Sequence, residues 1–176
     1  MIDCINGGHC PGKDSGAVGA SGLQEADVAH DIMQLVMYYL QQAEHKVLTI
    51  QENDLQVICD VSNNLGADLF VSIHCNAAEN TDAKGTETFY FANSPASQRL
   101  AQCIQSQIVD TLNTVDRGVK DGSHLYVIKN TDAPAVLIET AFISNADDEI
   151  VLSTEAGRDG IARAIARGIT DYVSGR

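Results

Sequence analysis

Apolar residues recur along this chain in two alternating periods. Met1–Asn6 is a short apolar run, and 45–51 ("HKVLTIQ") is a second. "DLFVSIHCN" (68–76) is apolar on both faces, which suits an interior strand of a covered sheet. "GTETFYFAN" (85–93), "LYVIK" (125–129) and "AVLIETAF" (135–142) complete six predicted strands. Between them the period changes to that of a helix. Ala29, Ile32, Met33, Val36, Met37, Leu40 and Ala43 predict a helix from Leu23 to about Glu44, with Ser21 or Gly22 as its cap. Leu55, Ile58, Val61 and Leu65 predict one over 54–66, ended by Gly66. Leu100, Cys103, Ile104, Gln107 and Ile108 predict one over 95–113, and Ile161, Ala164, Ile165, Gly168 and Ile169 one over 154–173. Strands alternating with helices imply an α/β three-layer sandwich, with a mostly parallel six-stranded sheet and helices on both faces.

At 176 residues, without repeats or low-complexity segments, residues 1–176 are expected to form one domain. No apolar run approaches the roughly 20 residues that span a bilayer. A formal charge of −13 with no Lys/Arg cluster argues against nucleic acid as a partner. The five cysteines (4, 10, 59, 75 and 103) form no CxxC pair, and most are expected to be small buried hydrophobes.

Residues 7–22 hold six glycines, too long and too glycine-rich a loop to be a mere connection. Its "GGHCPGKDSG" is nearly a phosphate cradle, but three features spoil it. Asp14 follows Lys13 where Ser or Thr is needed, Pro11 removes a backbone donor, and no helix starts directly after the lysine.

Groups that do chemistry collect at the carboxyl ends of parallel strands. The first strand runs into His9, the third into His74 and the last into Glu139. Glu25, in the first turn of the long helix, could point back toward His9. Taken singly, each has an ordinary structural explanation: a hydrogen-bonded histidine, or a carboxylate favoured by the helix dipole. Together, two imidazoles and one carboxylate make a catalytic zinc set with one position left for water. A further carboxylate off the metal, Glu139, would serve as base. Cys75 next to His74 cannot be a nucleophile–base pair, because strand neighbours point to opposite faces. A mixed site in which Cys10 approaches His74 stays open, as does a non-enzymatic wall-binding module. Asn76 and Thr140 flank the centre, as substrate contacts or as strand-end caps.

"GGHCPGKDSGAVGASGLQEADVA", "SIHCNA", "GTETFYF" and "LYVIKNTDAPAVLIETAFISNADDE" resemble, in this order, the zinc-dependent N-acetylmuramoyl-L-alanine amidases of bacterial autolysins and phage endolysins, the type-3 amidase family. The likeness covers nearly the whole chain. It implies one zinc held by His9, Glu25 and His74, and Glu139 as the catalytic acid/base. It also implies cleavage of the amide between N-acetylmuramic acid and L-alanine in peptidoglycan. The chain departs from the family at Asn6-Gly7, where Asp-Pro is usual, and at Cys10, where glycine is common. The stretch between His74 and "FYF" leaves no room for an inserted helix that blocks the site in some regulated relatives. A peptidase or deacetylase using the same centre is the alternative chemistry. A monomer is expected. No basic and apolar leader precedes the first strand. The expectation is therefore either a cytoplasmic lysin released by a holin or a fragment of a secreted autolysin, acting on the cell wall in both cases.

Overall fold

The computed structural model describes residues 1–175. Its elements run β1 (Ile2–Gly7), α1 (Glu25–Gln42), β2 (Lys46–Ile50), α2 (Leu55–Asn64), β3 (Leu69–Asn76), β4 (Thr86–Tyr90), α3 (Pro95–Leu112), β5 (Asp116–Asp121), α4 (Tyr126–Lys129), β6 (Ala135–Phe142), α5 (Ala146–Ser153) and α6 (Glu155–Ser174). The six strands form one sheet in the order β2-β1-β3-β6-β4-β5. Every pairing is parallel except β4 with β6. The pair β4–β5 is thus reversed relative to the other four strands, so the amino ends of β4 and β5 lie beside the carboxyl ends of β3 and β6.

Alternation along the central strands explains the layers. On β3, Leu69, Val71, Ile73 and Cys75 share one core with Ile5, Val136 and Ile138. That core is covered by α1, α3 and α6, through residues such as Ile32, Leu40, Ile104 and Ile165. Phe70 faces the other way and joins Cys4, Leu137, Ile58 and Val127 under α2 and α4. This second core is smaller and occupies only the first halves of β1, β3 and β6. Farther along the same face the strands carry the polar side chains of Asn6, Ser72, His74, Asn76 and Glu139.

Two expectations need correction. The count of six strands stands, but "LYVIK" is the short helix α4, with Val127 and Ile128 buried beneath Tyr126 and Lys129. The missing strand is β5, "DRGVKD", an edge strand whose polar composition disguises it. Nor do Ser21 or Gly22 cap α1. The helix begins at Glu25 behind Gln24, which makes no side-chain cap. The glycine loop caps it with backbone instead: the N–H groups of Glu25 and Ala26 donate to the carbonyls of Ala17 and Ser15. Helix α5, which the periodicity does not reveal, ties that loop down, since Ser21 donates through both N and Oγ to Glu149 Oε1 (2.9 and 2.7 Å).

Helices α3 and α6 approach so closely at Gly168 that a Cβ there would stand 2.5 Å from Ile104 Cα. Backbone cannot yield as a side-chain tip can. Gly168→Ala is therefore expected to cost about 1–3 kcal/mol and to lower the melting temperature by several degrees in a thermal scan. An unchanged transition would refute the close packing.

Candidate metal centre

At the end of β1 the chain turns sharply. His9 has φ 56°, the left-handed region, which few residues other than glycine enter without cost. A hairpin-like turn follows, in which the Lys13 and Asp14 N–H groups donate to the Cys10 carbonyl and Cys10 N–H donates back to Asp14. The turn carries Asp14 over His9, and His9 Nδ1 donates to Asp14 Oδ2 at 2.8 Å. With its proton fixed on Nδ1, His9 presents Nε2 inward, 3.3 Å from Glu25 Oε2.

Glu25 is buried at the start of α1. Its Oε2 accepts from Ala17 N–H at 2.9 Å, and its Oε1 from Cys75 N–H at 3.1 Å. His74 comes from β3, and its Nδ1 meets Glu25 Oε1 at 2.9 Å. His9, Glu25 and His74 each offer a donor atom, all within 4.8 Å of one another. Among the described residues this is the one cluster of three such side chains.

Two observations test whether these groups fit a metal. The donor set, two imidazoles and a carboxylate, is that of a three-ligand zinc site. The glycine loop is also pressed against these three side chains. A Cβ on Gly8 would stand 2.4 Å from His74 Cε1, and one on Gly16 (φ +62°) 2.5 Å from both Glu25 Oε2 and His9 Cδ2. No residue but glycine fits at either place without displacing a ligand. The electrostatics agree. Burial works against a charged Glu25, but hydrogen bonds from His74 and His9 hold its carboxyl well below the usual range. The bond to Glu25, opposed by burial and helped by Asp14, raises His9 to about 9. Without a metal, the cation beside the Glu25 carboxylate is the protonated His9 ring, in the place a metal ion would take.

Glu139 lies next to the cluster, paired in register with His74 across β3 and β6. Its Oε2 is shut off from solvent and has no hydrogen-bond partner. Burial, then the charges of Glu25 and Glu87, push its carboxyl up to about 8. An orphaned buried carboxylate oxygen costs stability, so its place beside a cluster able to hold a metal points to chemistry rather than packing. A cleft of about 360 Å³ opens alongside, between His9, His74, Leu137, α2 and α4.

The remaining candidates sort themselves by face. Thr140 is fully buried, and its hydroxyl donates to the His74 carbonyl at 3.0 Å, so it holds the strand rather than facing the cleft. Asn76 lies on the open face and donates to Glu87 Oε1 at 2.9 Å. Cys75 points into the opposite core, where burial drives its thiol far up and leaves it inert. Cys10 sits in a separate pocket with His30, Met33 and Gln51, away from the donor cluster. Lys13 reaches Glu52 at 3.2 Å instead of any phosphate position. Four participants carry no clear sequence signal: Asp14, Glu87, Arg117 and Lys120. Only Asp14 leaves a trace, a carboxylate five places after a loop histidine.

Comparison with known proteins agrees with this fold. The family model described as N-acetylmuramoyl-L-alanine amidase matches residues 4–171. The amidase LytC of Bacillus subtilis is 40% identical over 174 residues, covering 96% of this chain, which spans only 34% of LytC. The endolysin of Bacillus phage SPP1 is 32% identical over 97% of this chain and 65% of its own length. Among solved structures, the N-acetylmuramoyl-L-alanine amidase of Clostridium difficile 630 superposes with a TM-score of 0.94 at 29% identity, covering 100% of this chain and 98% of that one. An interior strand set, a glycine loop moulded on a His-Glu-His cluster, and a match over nearly the full length lead to one conclusion: this chain belongs to the N-acetylmuramoyl-L-alanine amidase family.

Proposed function

We propose that this chain hydrolyses the amide between N-acetylmuramic acid and L-alanine in peptidoglycan, with one zinc ion per chain held by His9, Glu25 and His74, and that it acts at the cell wall. The observation that carries this reading is the partnerless, solvent-shielded Oε2 of Glu139 beside three converging donors. A bound zinc supplies Lewis acidity, polarising the scissile carbonyl and making water a nucleophile near neutral pH.

The chain's own groups do the rest. The cleft beside His9 and His74, with Leu55, Ile58, Leu125 and Leu137 among its walls, receives the amide. Glu139 accepts the proton of the attacking water. It returns that proton to the alanine nitrogen as the carbon–nitrogen bond breaks, so one carboxyl serves as base and then acid. A cation at the donor cluster favours the ionised carboxylate, offsetting the burial that otherwise raises Glu139. Asp14 holds His9 with Nε2 inward throughout.

Products test the reaction. Purified wall digested by the zinc-loaded protein should release new N-terminal alanine with no new reducing sugar. Release of acetate or free D-amino acids instead would replace the amidase reading with a deacetylase or peptidase on the same centre.

A further inference from the structure

The polar part of this sheet face forms a track that crosses the strands. From the donor cluster it passes Glu139 on β6 and Glu87 on β4, and ends at Arg117 and Lys120 on β5. Glu87 is 5% exposed and stands directly opposite Glu139 in register. It accepts from Arg117 Nε at 2.7 Å, from Lys120 Nζ at 2.5 Å and from Asn76 at 2.9 Å. Burial would raise the Glu87 carboxyl, but the two cations outweigh it and hold it below its ordinary value.

Arg117 and Lys120 both lean on the single carboxylate of Glu87, in a chain whose formal charge is −13. Arg117 is also braced: its guanidinium lies 4.8 Å from the centroid of the Phe142 ring. Only its Nε is used by Glu87, so the two Nη groups remain as a pre-aimed fork for an anion. Asp116, the nearest other acid on β5, is tied to Gln105 of α3 on the far face. The opposite end of the track has the reverse character, since Asp14 and Glu52 line the cleft there.

We propose that Arg117 and Lys120 form a carboxylate-binding subsite that holds the peptide side of the substrate, and so set both its direction across the sheet and its specificity. This rests on the amidase reading above. Two strand spacings separate β6 from β5, about 10 Å, and an extended peptide advances about 3.3–3.6 Å per residue. The anion recognised is therefore a carboxylate carried on the second or third residue of the peptide. The glycan side then lies toward α2 and α4, where Tyr126 and Leu55 expose apolar surface and the acidic groups would repel the peptide.

The test uses the zinc-loaded chain and two matched N-acetylmuramoyl-L-alanyl tripeptides, one with free carboxylates on its second and third residues and one with carboxamides there. The wild type should favour the carboxylate form in kcat/KM by about ten- to a hundredfold, mostly through KM. Arg117→Gln and Lys120→Gln should each shrink that ratio toward one, and Arg117→Lys should restore part of it. A merely structural role would depress both substrates equally and leave the ratio intact, which would overturn the subsite. So would a wild type that cleaves both forms equally, although the amidase reaction would then survive. If neither form is cleaved, the amidase reading itself falls, and the subsite with it.

Discussion

Glu139→Gln should abolish wall hydrolysis, by a factor of at least about 10³, while the protein still binds close to one zinc per chain. Gln keeps the shape of the side chain but cannot take a proton from water. Glu139 is outside the set of three converging donors, so metal content measured by atomic absorption should not fall. The same substitution carries a stability signature. Glu139 has its carboxyl raised to about 8 in the fold, chiefly by burial. A raised acid contributes stability that is fully present below its unfolded value near 4.5 and is lost as pH climbs through 8. In metal-free protein at pH 9 the wild type must keep a charge where water cannot reach it, and the neutral Gln variant need not. The variant should therefore be the more stable there, by about 1–4 kcal/mol, with the advantage vanishing at pH 4. A variant that retains lytic activity would remove Glu139 from the reaction. A variant less stable at pH 9 would make it a structural residue.

The second large effect concerns the donors. His9→Ala, Glu25→Ala and His74→Ala should each lose the bound metal and, with it, at least about 10³ of the activity. Dialysis of the wild type against a chelator should have the same effect, reversed by added zinc. Asp14→Ala should behave differently. It removes the acceptor that orients His9 rather than a ligand, so metal affinity should drop by only about 10- to 100-fold, and excess zinc should restore turnover. Titration with a zinc indicator separates the two classes. Full activity in chelated His74→Ala protein would dissolve the centre altogether.

Much of this is legible in the sequence because strands and helices advertise themselves by period. The apolar strand carrying His74 and the amphipathic helix after the glycine loop are long and strongly patterned, so their ends can be placed to within a few residues. Parallel strands bring their carboxyl ends to one edge, so residues far apart in the chain can be grouped: His9, His74 and Glu139, with Glu25 returning from its helix. The glycines can be seen to matter, but not why. Gly8 and Gly16 are required by the imidazole and carboxylate pressed against them, a relation that for Gly8 and His74 reaches across most of the first three strands.

The two misread segments share one cause. "LYVIK" and "DRGVKD" are both short, and short segments carry too few positions for a period to declare itself. Pairing makes one of them a strand: β5 exists because β4 offers it an edge. Antiparallel pairing of β4 with β6 reverses β4 and β5, and it delivers Glu87 and Arg117 to the site from their amino ends. A rule about carboxyl ends cannot find them. Local pattern decided which segments fold and what each buries, and it singled out the four side chains proposed as donors and base. Long-range pairing decided where on the sheet the polar track lies, that Asp14 orients His9, and that two cations stand at the end of the track, because those contacts depend on strand order and direction, which no local period encodes.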